Sequence, residues 1–211
     1  MGSEYDDPPV VAWAGPDTGP LVVLLHGWGE DERGILEMSA LLPGGSFASV
    51  QGPIPQGDGY AWFDTRGICR PFSDALAAAT AWFRGWLDGV AGDRPVLLAG
   101  FSGGAAFAGG LILADPGRYA GAAILYGTLP FDAGLPATPG RLAGLPVFVA
   151  HGEQDPVVPR ELLERTWTYL HDESGARITG HRDAGSHALS PGAMIALADW
   201  LTATTATTDR V

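Results

Sequence analysis

The chain has 211 residues, enough for one α/β domain with a sizeable buried core, and 46% of them are apolar. A formal net charge of −12, with no lysine anywhere, argues against nucleic acid or an anionic membrane surface as a partner. No apolar run reaches the ~18 residues that would read as a membrane span, and the single cysteine, Cys69, excludes an internal disulfide.

Met1 to Asp7 is acidic and polar and lacks the basic and apolar regions of a secretory signal, which fits a cytoplasmic protein. Residues 1–8 read as a flexible leader. Pro9 to Ala14 is a short edge strand, followed by a turn cluster from Gly15 to Pro20. Leu21-Val22-Val23-Leu24-Leu25 is apolar on both faces, as a parallel strand covered by helices must be. It ends in His26-Gly27-Trp28-Gly29. Asp31 or Glu32 then opens a helix whose expected buried face is Ile35, Leu36, Met38, Leu41 and Leu42.

Phe47 to Val50 is a strand, and Gln51 to Pro71 reads as a long irregular stretch with an aromatic knot, Tyr60-Ala61-Trp62-Phe63. Loops of that length inside a compact domain usually carry function. Cys69, within it, has no metal-ligand cluster nearby and reads as incidental. Phe72, Ala75, Leu76, Ala79, Phe83, Trp86, Leu87 and Val90 recur at helical spacing. Pro95 to Ala99 is a strand, and a helix from the Ser102 turn runs to about Ala114, where Asp115-Pro116-Gly117 stops it.

Gly121 to Tyr126 and Pro146 to Ala150 are further strands, separated by a Pro/Gly-rich loop. Pro159 suits the first turn of a helix burying Leu162, Leu163, Trp167 and Leu170. Ala176 to Gly180 is the last strand. Ser190-Pro191 opens a final helix burying Met194, Leu197, Ala198 and Leu201, and Thr202 to Val211 reads as a frayed tail. Strands alternating with helices imply a mostly parallel central sheet with helices on both faces. The expected boundaries are one domain over 9–203, with flexible termini at 1–8 and 204–211.

Sites in such sheets gather at the carboxyl ends of strands. Four ends carry reactive or small residues: His26 to Gly29, Ser102, Asp155 and His187. Gly100-Phe101-Ser102-Gly103-Gly104 is a Gly-x-Ser-x-Gly turn, and Ser…Asp…His is the chain order that accompanies it in hydrolases. A serine hydroxyl is a weak nucleophile until an imidazole takes its proton, and a carboxylate behind the imidazole fixes its tautomer. Asp132 competes with Asp155 as the acid. His26, His151, His171 and His181 compete with His187 as the base; His26 reads as a loop organiser, His151 as a hydrogen-bonded structural residue, and His171 and His181 as solvated. The N–H groups of Gly103 and Trp28 are the expected oxyanion donors. No metal or phosphate-loop pattern is present.

Leu-His-Gly-Trp-Gly, Tyr-Ala-Trp-Phe-Asp, Gly-Phe-Ser-Gly-Gly, His-Gly-Glu-Gln-Asp-Pro-Val-Val-Pro and Gly-Ser-His, in that order, resemble the carboxylesterase/phospholipase family of small serine α/β-hydrolases. The resemblance covers about Val22 to Leu201. It implies an α/β-hydrolase fold without a large cap, a catalytic triad of Ser102, Asp155 and His187, and oxyanion N–H groups at Trp28 and Gly103. It also implies carboxylesterase activity on short- to medium-chain esters, without a cofactor or metal. Trp62 and Phe63 would lie beside the acyl pocket, with Leu129 and Val157 as further pocket residues. Two positions depart from the family pattern. Gly103 stands where Gln commonly follows the nucleophile, and Tyr60 stands where Arg often precedes Ala-Trp-Phe.

A lysophospholipase or acyl-protein thioesterase is the alternative, needing a long apolar groove from residues such as Leu129, Pro130, Phe131 and Leu135. A non-catalytic binding protein on the same fold is a third reading, since fold alone does not establish chemistry. The expected partner is a small-molecule ester, and a homodimer is compatible with the chain.

Overall fold

The computed structural model describes residues 5, 7–43 and 45–208. Among the described residues there are nine strands and five α-helices. Seven strands form one sheet: β1 (Val11–Ala14), β2 (Leu21–Leu25), β3 (Ser46–Val50), β6 (Val96–Phe101), β7 (Gly121–Leu125), β8 (Pro146–Gly152) and β9 (Arg177–Asp183). Their order is β1-β3-β2-β6-β7-β8-β9, antiparallel only at the β1–β3 pair. The other two strands, β4 (Ile54–Gln56) and β5 (Gly59–Ala61), pair as a hairpin.

Every residue of β2, β3 and β7 is buried, because both faces of the sheet are covered. One face carries α2 (Ser73–Ala91) and α3 (Gly103–Ala114) over Val23, Leu98, Phe83, Phe107 and Ile124. The other carries α1 (Glu32–Leu36) and α5 (Pro191–Thr208) over Leu24, Leu97, Phe148, Leu197 and Trp200. Helix α3 is buried on all sides from Gly104 to Leu113, so its sequence has no polar face to show. Burying a side chain such as Phe107 contributes about 1.5–3 kcal/mol. The fifth helix, α4 (Arg160–Thr168), follows β8.

Several elements differ from the sequence expectation. The helix after β2 is five residues long and tightens into a 3₁₀ turn over Glu37–Leu41, which leaves Leu41 69% exposed while Ile35, Met38 and Leu42 are buried. The stretch after β3 is not irregular throughout, because β4 and β5 fold back as the hairpin. Phe72 and Val90 lie exposed at the ends of α2, and Trp82 takes a core position in their place. The last helix does not stop at Leu201. It runs to Thr208 with Thr204 buried, the threonine hydroxyls bonding back to carbonyls four residues earlier.

Residues 1–4, 6 and 209–211 lie outside the described residues. Tyr5, within the expected leader, packs edge-on against Trp82, whose indole N–H donates to the Asp7 carbonyl. No described helix is long and apolar enough to cross a membrane.

Candidate active site

The site is built where β2, β6, β8 and β9 end on one edge of the sheet. Strand β6 turns into α3 through Ser102, whose backbone sits at φ 53°, ψ −112°, a region that L-residues other than glycine rarely occupy. The corner closes this tightly because its flanks have no side chains. A Cβ on Gly100 would lie 2.2 Å from the Gly104 carbonyl oxygen, and one on Gly104 would lie 2.1 Å from that of Leu25. The Ser102 N–H is held by the Leu125 carbonyl at 2.9 Å, which fixes the turn to β7.

Ser102 Oγ lies 2.9 Å from His187 Nε2, and His187 Nδ1 lies 2.7 Å from Asp155 Oδ2. In the tautomer this chain of bonds requires, Nδ1–H donates to the carboxylate and the serine O–H donates to Nε2. The Asp155 carboxylate is fully buried, and its other oxygen accepts the N–H groups of Val157 and Val158 at 2.8 and 3.0 Å. The proline after Asp155 cannot donate, so the turn offers its next two amides instead.

The competing residues are occupied elsewhere. Asp132 lies in a 3₁₀ turn facing Arg70 and Arg165. His26 is fully buried, donates from Nδ1 to the Gly27 carbonyl, and accepts the Gly52 N–H at Nε2, which is the work of a loop organiser. Burial pushes its pKa down, so it is neutral. Burial, reinforced by Arg182, also lowers that of His151, whose ring meets Trp167 edge-on. His171 is exposed and stacks on Trp167. His181 is not the solvated residue expected, because its buried Nε2 faces Asp183 at 3.6 Å.

The turn after β2 brings Trp28 to Gly103: a Cβ on Gly103 would lie 3.4 Å from the Trp28 backbone nitrogen. The turn is clamped from two sides. Glu30 Oε2 accepts the Gly27 N–H at 2.8 Å, while Tyr60 in β5 exchanges backbone bonds with Gly29 and Glu30. Gly59 is the contact that admits the hairpin, since a Cβ there would lie 2.2 Å from the Gly29 carbonyl oxygen. Among the described residues, neither the Trp28 nor the Gly103 amide has a protein acceptor.

A groove of about 1260 Å³ opens over Ser102 and His187. Of the expected pocket residues, Phe63 and Val157 line it. Trp62 and Leu129 do not. Trp62 is a core residue, stacked on Phe107 at 4.6 Å with its indole N–H donated to the His26 carbonyl. Leu129 is fully buried, its N–H bound to Thr166 Oγ1. Phe131 lies under the Arg165 guanidinium, away from the groove. Sequence reasoning missed the opposite wall, Ile35, Met38, Phe101 and Leu189: Ile35 and Met38 read as the buried face of a helix, Phe101 as part of the serine turn, and Leu189 carries no signal of its own. It also missed that Cys69 lines the groove, where burial raises its thiol pKa.

A further omission is the carboxylate of Asp183, which accepts Tyr126 O–H and Ser190 O–H at 2.6 Å each and the Gly185 N–H at 2.8 Å. Nothing in its local sequence separates it from an ordinary strand-end aspartate. Among the described residues, no three His, Cys, Asp or Glu side chains gather as a metal site.

The sheet order, the strained serine corner and the serine–histidine–aspartate chain define an α/β-hydrolase. A sequence profile of the phospholipase/carboxylesterase family matches residues 7–205, and the chain belongs to that family of hydrolases. A protein of Bacillus subtilis (strain 168) named MhqD is 28% identical over 178 residues, covering 81% of this chain and 86% of that protein. The carboxylesterase of Bacillus cereus superposes with a TM-score of 0.83 at 23% identity, over 94% of this chain and 96% of the other. A carboxylesterase from Mesorhizobium loti gives 0.76 at 26% identity, over 87% and 88%.

Proposed function

We propose that this enzyme is a serine carboxylesterase that cleaves short- to medium-chain esters through an acyl-enzyme on Ser102. The observation that carries the reading is the unbroken chain from Ser102 Oγ through His187 to the buried Asp155 carboxylate. His187 takes the serine proton as Oγ attacks the ester carbonyl carbon. The carbonyl oxygen becomes an oxyanion beside the N–H groups of Trp28 and Gly103, donors held ready before the reaction. Collapse of this intermediate expels the alcohol, which takes the proton from His187 Nε2. Water, deprotonated by the same nitrogen, then attacks the acyl carbonyl, and the acid leaves as Ser102 recovers its proton.

Asp155 keeps Nδ1 protonated, so that Nε2 faces the serine as a base. The strain at Ser102 serves exposure of Oγ at the corner, which a helical or extended residue there would not give. No step calls for a cofactor. The acidic surface, without lysine, supports a small-molecule ester rather than nucleic acid as partner, and the single cysteine suits a cytoplasmic location. A homodimer remains compatible, and sedimentation of the purified protein tests it.

The test of function is hydrolysis of p-nitrophenyl butanoate by Ser102→Ala. Turnover is expected to fall by ~10⁴ or more, in line with removal of a triad member. Wild-type turnover by that variant overturns the reading.

A further inference from the structure

The groove has two apolar walls, and they come from opposite faces of the sheet. Ile35 and Met38 belong to the cluster under α1 and α5, against which Phe101 and Leu189 also pack. Phe63 belongs to the cluster under α2 and α3, against which Cys69 packs. All six line the groove that holds Ser102.

Proton transfer decides which half of an ester each wall receives. In the reaction proposed above, His187 Nε2 returns the serine proton to the departing alcohol oxygen, so the alcohol leaves on the imidazole side. That imidazole packs against Phe101, with ring centroids 5.2 Å apart, and the chain continues from it through Ala188 to Leu189. The wall of Phe101, Leu189, Ile35 and Met38 is therefore the one the alcohol meets.

The charge beside that wall is negative. A Cβ placed on Gly27 would lie 2.9 Å from Glu30 Oε2 and 3.2 Å from Phe101 Cδ1, so the Glu30 carboxylate and the Phe101 ring share one corner. Asp31 and Asp58 also line the groove. The cation among the lining residues, Arg66, is turned to the Asp132 carbonyl and the Phe72 ring. An anionic alcohol would enter a groove with carboxylates and, among the described lining residues, no free Arg on its side, where repulsion is less screened than in bulk water.

We propose that this wall makes the enzyme selective for esters of bulky apolar alcohols that carry no negative charge, such as aryl-alkyl esters, and that it rejects phosphate- or carboxylate-bearing alcohols. The proposal rests on the ester-hydrolase reading and adds the identity of the leaving group.

The test compares kcat/KM, which reports acylation, for three butanoates whose alcohols have similar acidity: ethyl, 2-phenylethyl and 2-(4-carboxyphenyl)ethyl. The phenylethyl ester is expected to exceed the ethyl ester by about 10-fold or more, and the carboxylate to remove about 10-fold of that. Leu189→Ala and, independently, Met38→Ala should each shrink the phenylethyl-to-ethyl ratio without moving the acyl-chain-length optimum. Asp58→Asn should narrow the gap between the phenylethyl and carboxyphenylethyl esters. Equal rates for the charged and uncharged aryl esters overturn the proposal. So does a Leu189→Ala variant that shifts the acyl-length optimum while keeping the alcohol ratio. Failure to cleave any ester, with no acyl adduct on Ser102, instead overturns the hydrolase reading beneath it.

Discussion

The Tyr126 hydroxyl donates to Asp183 at 2.6 Å, and this one bond ties the end of β7 to the segment that carries His187. Ser190 Oγ donates to the same carboxylate oxygen, also at 2.6 Å, so residues 183 and 190 are pinned together with His187 between them. Burial acts to raise the Asp183 pKa, but hydrogen bonds from Ser190, Tyr126 and Gly185 and the charge of His181 outweigh it and hold the pKa below its ordinary 3.8. A carboxylate whose folded pKa is depressed adds stability that is full above the unfolded value and is lost as pH falls through the folded one. Asp183→Asn should therefore destabilise by about 1–3 kcal/mol at neutral pH, and the difference from wild type should shrink below pH 3.8. Urea unfolding at several pH values measures both. Because the loop loosens around His187, kcat should fall as well.

His26 and His151 make the range just below neutral pH informative as well. Burial lowers both pKa values below the ordinary 6.5. As pH falls below 6.5, the unfolded chain takes up protons that the folded protein accepts only at lower pH, so stability is lost in that direction. Urea midpoints should drop between pH 7.5 and pH 5. In His26→Gln, this drop should be smaller. The variant should also be less stable at pH 7.5, because the Gly52 N–H loses the nitrogen that accepts it.

Three glycines in the serine corner should respond differently to alanine. At Gly100 and Gly104 the added methyl runs into backbone carbonyls at 2.2 and 2.1 Å. These variants should lose about 3 kcal/mol or more, or fail to accumulate folded. At Gly103 the methyl meets the Trp28 nitrogen at 3.4 Å, an ordinary contact. Gly103→Ala should stay within about 0.5 kcal/mol of wild type and keep its esterase activity, as thermal melts and ester assays would record.

Glu30 is predicted to position the oxyanion donor rather than touch the substrate carbonyl. Its carboxylate holds the Gly27 N–H, one residue from the Trp28 amide. Glu30→Ala should lower kcat by about 10-fold or more with a smaller change in KM, since a misplaced donor weakens only the transition state. Glu30→Gln keeps an acceptor oxygen and should recover much of the loss. Equal losses in both variants would contradict this role.

The sheet was legible because β2, β6 and β8 are apolar runs with no other plausible partner than a covered sheet. The chain of Ser102, His187 and Asp155 was legible because each lies just past a strand end, where a parallel sheet collects its loops. The pocket was not. The family resemblance puts Trp62 beside the acyl pocket, and Leu129 is expected there as part of an apolar groove, whereas their N–H groups find partners deep in the core. Met38 and Ile35 are core residues, as the spacing of a buried helix face suggests, and they also line the groove, which spacing alone does not reveal. The persistence of α5 to Thr208 was hidden for a related reason, since the weak helix propensity of threonine is overridden by burial at Thr204.

In the proposed reaction Ser102 forms the covalent intermediate. Incubation with a fluorophosphonate, digestion and mass spectrometry locate the adduct directly. One phosphonyl group is expected on the peptide containing Ser102, abolished in Ser102→Ala and strongly slowed in His187→Ala, which lacks the base 2.9 Å from Oγ. An adduct on any other residue, or undiminished labelling of Ser102→Ala, contradicts the account.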